Sequence, residues 1–86
     1  MMSREDLTEN LVEYIAYTMR PYKRIKQMGG CLFLRDLDKA ENRCYGAIDY
    51  YLDTLDAYEN LTKEDEEEID NYWRFIQSEF NALRGE

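Results

Sequence analysis

The chain has 86 residues, 44% of them apolar, and a net charge of −8. That is room for one modest core and no second one, and is too apolar for a disordered polymer. The longest uncharged run, residues 27–34, is far short of the roughly 20 residues that a membrane-spanning helix needs, so no membrane role is expected. A single all-α domain over residues 1–86 is expected: a three-helix bundle with a C-terminal antiparallel hairpin and helices over about 3–20, 35–59 and 63–84.

The first helix begins at Ser3, a good N-cap, followed by Glu5 and Asp6 where the helix dipole favours acids. Leu7, Leu11, Tyr14, Ile15, Thr18 and Met19 form its apolar stripe at three- and four-residue spacing. Pro21 removes a backbone donor and disfavours helix at Arg20, which predicts an end or a kink there. Tyr22 to Met28 reads as a further short helical piece, closed by Gly29-Gly30.

Cys31-Leu32-Phe33-Leu34 is ambiguous by pattern. A short strand would have no visible partner, so the segment reads as a buried connector or as the first turn of the next helix. The second helix is expected from Leu34 or Asp36 to Glu59, with a seam of Leu37, Cys44, Ile48, Tyr51, Leu55 and Tyr58 broadened by Tyr45 and Leu52. Glycine in mid-helix is costly, so Gly46 beside Ala47 is expected to allow a close helix crossing. The third helix follows a short turn, Asn60-Leu61-Thr62, with Thr62 as N-cap and Gly85 at its end. Its stripe is Ile69, Trp73, Ile76, Phe80 and Leu83, and so short a connection forces antiparallel packing on the second helix.

Charge is unevenly distributed. Residues 20–30 carry four bases (Arg20, Lys23, Arg24, Lys26) and no acid, whereas residues 48–86 carry twelve acids and three bases. The basic elbow compensates the first helix dipole or pairs with the acidic half of the chain. Direct nucleic-acid binding is not expected, because phosphates would meet the acidic half.

Catalytic chemistry finds few tools here. Histidine is absent, serine occurs only at positions 3 and 78, and Cys31 and Cys44 lack metal-site spacing. Two cysteines and no N-terminal basic-then-apolar segment point to a cytoplasmic protein without a disulfide framework. Asp53-x-x-Asp56 and Glu67-x-x-Asp70 each place two acids on neighbouring helical turns. That pairing resembles the all-α nucleotide pyrophosphohydrolases of the MazG type, and the resemblance implies magnesium held by those four acids. Read from the residues themselves, Asp53 and Asp56 point away from the apolar seam and belong to a solvated face. No catalytic residue, metal or cofactor is therefore assigned.

Glu64 to Glu68 is a run of five acids at a helix start, where it stabilises the dipole. With Asp49, Asp53, Asp56 and Glu59 it also makes a candidate ridge on one outer face, in which Glu64, Glu67 and Glu68 are partner-binding candidates. Such a ridge suits a basic protein surface. Eight tyrosines, three phenylalanines and one tryptophan exceed what one small core needs, and Tyr17 and Tyr50 fall off the apolar faces as candidate aromatic contacts. In size, acidity, tyrosine content and lack of catalytic residues the chain resembles small inhibitors encoded by phages and mobile elements, anti-CRISPR and DNA-mimic proteins among them. A non-enzymatic protein-interaction module is thus expected, with a homodimeric structural or assembly protein as the first alternative and a magnesium-dependent MazG-like nucleotide pyrophosphohydrolase as the second.

Overall fold

The computed structural model describes residues 3–58 and 61–85 and contains three helices: α1 (Arg4–Gln27), α2 (Leu34–Tyr58) and α3 (Lys63–Arg84). The two expected N-caps form. Ser3 and Thr62 each accept from the backbone N–H three residues on, and Asp6 and Asp65 return the bond to the cap residue's own N–H. At the far end of α3, Gly85 adopts the left-handed conformation (φ 89°) that ends a helix without a Cβ penalty.

The helices run up, down and up along a body of 45 × 23 × 17 Å. α2 is the middle element, packed against α1 on one side and α3 on the other, while α1 and α3 touch at few points. Their parallel course is marked at both ends. Arg4 of α1 pairs with Asp65 at the start of α3, and Lys26 donates to the Ala82 and Leu83 carbonyls at its finish. The core is one cluster: Leu7, Leu11, Ile15 and Met19 from α1, Leu37, Ala40, Cys44, Ile48, Tyr51 and Leu55 from α2, and Ile76, Phe80 and Leu83 from α3. These positions recur at three and four residues, as the sequence pattern demands.

Four expectations need correction. α1 does not end at Arg20 but continues through Pro21 to Gln27. An internal proline costs about 3 kcal/mol. Beyond it, however, Tyr22 packs on the core, Lys23 pairs with Glu79 at 3.4 Å and Lys26 closes the last turn of α3. These ties hold the last turn and a half of α1 in register. The Cys31–Phe33 segment is neither strand nor buried connector; Cys31 and Phe33 are exposed and Leu32 alone is half-buried. Phe33 contributes its carbonyl to the N–H groups of Asp36 and Leu37, opening α2. Tyr14 and Trp73 lie at the edges of their stripes and remain exposed.

The fourth correction concerns Gly46. No helix crosses closely over it, and a Cβ built there meets nothing within 4 Å. Its roughly 1 kcal/mol helix cost is therefore not explained by packing inside the chain. Instead Gly46 and Ala47 leave a shallow apolar groove of about 500 Å³ between α1 and α2, walled by Leu7, Leu11, Tyr14 and Tyr50. The expected contributions of the Tyr58 side chain, Glu59 and Asn60 lie outside the described residues.

Candidate protein-interaction surface

At 100° per residue, the five acids of Glu64–Glu68 cannot share one face, and the structure separates them. Asp65 turns inward and is 3% exposed, bonded to the Thr62 N–H at 2.9 Å and paired with Arg4. Glu68 is half-buried and accepts from the Tyr72 hydroxyl at 3.0 Å, on the side of α3 that looks toward α1. Glu64 and Glu67 are exposed on the outer side of α3. The proposed ridge is thus split, and Glu68 belongs to a different side from Asp49 and Asp53.

What adjoins the α2 acids can be read from the hairpin. Tyr45 of α2 stacks on Trp73 of α3 with centroids 4.1 Å apart. Asp49 and Asp53 lie one and two turns beyond Tyr45 on the same side of α2, and Asp70 and Glu66 precede Trp73 on the matching side of α3. The antiparallel register brings Asp49 near the level of Asp70 and Asp53 near that of Glu66. Sequence reasoning left Asp70 off the ridge and did not single out Glu66 within the acidic run. Anchoring the helical period on Ile76 and Phe80 would have found them.

Other acids already have partners inside the chain. Arg84, largely shielded, donates to Asp38 at 2.6 Å, to Asn81 at 3.1 Å and to Glu41, and Glu41 also accepts from the Tyr45 hydroxyl. Lys23 holds Glu79. By contrast Asp49, Asp53, Asp56, Glu66, Glu67 and Asp70 are exposed, and among the described residues none is ion-paired. Glu59 lies outside the described residues. Tyr50 and Tyr17 are 71% and 72% exposed, Tyr50 beside the acidic row and Tyr17 across the α1/α2 groove.

The basic elbow is divided as well. Lys23 and Lys26 serve α3, whereas Arg20 and Arg24 point outward around Tyr17 and Pro21. The described residues gather no group of three or more His, Cys, Asp or Glu in a position to hold a metal ion. The acids of the two spaced pairs, Asp53, Asp56, Glu67 and Asp70, all sit on solvent-facing surface. Cys31 and Cys44 are free thiols, and burial pushes the Cys44 thiol up to about 11, leaving it a small hydrophobe.

Two phenols are shifted. Burial, then the bond to Glu68, pushes Tyr72 up to about 12, and burial followed by Glu41 moves Tyr45 upward too. The folded Tyr72 binds its proton more tightly than the unfolded chain does. Its stabilising contribution is therefore complete below the ordinary phenol value of about 10 and is lost as pH rises through about 12. Urea titrations across that window should show wild-type stability falling more steeply than that of Tyr72→Phe. Equal slopes would separate Tyr72 from the alkaline transition.

No protein-family model, curated protein or solved structure matches the chain. Among the described residues, no helix is long and apolar enough to cross a membrane.

Proposed function

We propose that the chain is a non-enzymatic, cytoplasmic protein-interaction module that docks the acidic face of α2 on a basic protein surface. The observation that carries this reading is the exposed row Asp49, Asp53 and Asp56, which among the described residues has no cation opposite it, while Asp38, Glu41, Asp65 and Glu79 do. Three like charges along one helix face repel one another and are better neutralised by a partner than left in solution. Asp70 and Glu66 extend the field across the hairpin, and Tyr50 supplies an aromatic contact of the kind enriched at interfaces. The fit is to a nucleic-acid-binding or otherwise basic protein, in the manner of the small acidic inhibitors the composition resembles.

Reversing Asp49, Asp53 and Asp56 to lysine together should abolish retention of a bound partner in affinity capture from host lysate. The far-ultraviolet circular dichroism should stay that of the wild type, because all three side chains are exposed. Undiminished capture by the triple variant would remove the acidic face from the function.

A further inference from the structure

The acidic row of α2 is one half of a longer exposed stripe. In the first half of the same helix, Arg35, Lys39 and Arg43 recur at four-residue spacing and are all exposed. Arg43 reaches the Tyr22 hydroxyl at 3.5 Å, and among the described residues neither Arg35, Lys39 nor Arg43 has an acid opposite it. Gly46 stands between the two halves. Lys39 lies seven residues before it and Asp53 seven after; Arg43 lies three before it and Asp49 three after. Seven residues are close to two helical turns, so Lys39, Gly46 and Asp53 share one line along α2, opposite its buried seam, while Arg43 and Asp49 flank that line on opposite edges.

A stripe whose charge changes sign about its midpoint is complementary to itself when turned through 180°. If a second α2 is laid antiparallel on the first with a two-fold axis at Gly46, positions equally far before and after the glycine come to the same level, and those near the midline of the stripe face each other. Lys39 then meets Asp53 of the second copy, an ion pair that occurs twice, while Arg43 lies along the edge that carries Tyr50 of the second copy and Asp49 along the edge that carries its Asn42. The parallel arrangement would instead set like against like. At the axis two backbones must approach, and this is where the helix has no Cβ. The glycine that serves no crossing inside the chain is the residue such an approach requires. Tyr50 of each copy would cover the edge of the interface beside Arg43 of the other.

We infer that the basic surface met by the acidic row is the first half of α2 in a second copy of this chain, in an isologous antiparallel dimer centred on Gly46. The inference rests on the reading of Asp49 and Asp53 as docking residues and names their partner. Charge order specifies the register, and the close approach at Gly46 lets the flanking side chains reach across.

Sedimentation velocity of the whole chain through the micromolar range tests it. At low salt a dimer is expected, weakening as sodium chloride screens the paired charges. Lys39→Asp with Arg43→Asp makes the four charges of the stripe nearest Gly46 all acidic, and Asp49→Arg with Asp53→Arg makes them all basic. Each variant alone should sediment as a folded monomer, its dimer dissociation constant raised at least about tenfold. An equimolar mixture of the two should restore a one-to-one dimer. Gly46→Leu, on open surface, should keep the helical circular dichroism and lose the dimer. A wild-type monomer at every concentration, a dimer indifferent to both charge variants, or a mixture that stays monomeric would each overturn the inference. If the wild type is monomeric and yet reversal of Asp49, Asp53 and Asp56 still abolishes capture of a foreign partner, the self-pairing falls and the acidic docking face stands.

Discussion

Phe80→Ala is expected to lower the thermal midpoint by roughly 15–30 °C, the largest effect of any single truncation in the chain. Phe80 is the largest fully buried side chain and belongs to the cluster shared with Met19, Leu37, Ala40 and Cys44. Removing a buried phenyl ring loses its transfer free energy and leaves a cavity that three packed helices cannot close, a cost of about 3–5 kcal/mol. A domain this small holds only about 5–10 kcal/mol in total, and each kcal/mol shifts its midpoint by about 4–8 °C. Phe75→Ala is the control: that ring, five residues earlier on α3, is half-exposed and should cost under about 1 kcal/mol. Circular dichroism melts of the two variants decide the matter, and similar midpoints would mean that Phe80 is not the centre of the core.

Asp65→Ala should cost about 2–4 kcal/mol, whereas alanine at the adjacent Glu66 should change stability by under about 0.5 kcal/mol. Two letters of one acidic run differ this much because Asp65 does two jobs at once. It returns the capping bond to the Thr62 N–H, itself worth about 1 kcal/mol, and it neutralises Arg4 from a site 3% exposed. Asp65→Asn separates the jobs, since the amide oxygen keeps the capping bond but loses the charge. Its urea midpoint should fall between those of wild type and Asp65→Ala. A neutral outcome for Asp65→Ala would show that the start of α3 holds without its box and without α1.

Much of the fold could be read directly because the signals are local. Ser3 and Thr62 announce helix starts within four residues, Gly85 announces an end, and the stripes through Leu7–Met19, Leu37–Leu55 and Ile69–Leu83 already give the seams. Where local signals mislead, distant contacts decide. Pro21 is a stop by local rules, and only Lys23 on Glu79 and Lys26 on the last carbonyls of α3 explain why α1 passes through it. Gly46 looked like a packing glycine because sequence does not tell whether a neighbour arrives from within the chain or from outside. The run Glu64–Glu68 reads as one surface because five similar letters hide their rotation about the helix axis. Arg84 was out of reach for a different reason: its acids, Asp38 and Glu41, lie more than forty residues away and meet it only once the hairpin closes.

The place of α2 between the other two helices has a consequence for how the chain comes apart. A row of helices could in principle shed an end member and keep the rest. Here the shared seam of α2, from Leu37 to Leu55, faces both neighbours at once, and the α1–α3 flank is sparse. Neither outer helix has a sufficient second home, so losing one uncovers half of the seam on which the other depends. The three helices are therefore expected to melt as one cooperative unit, with no two-helix remnant along the way.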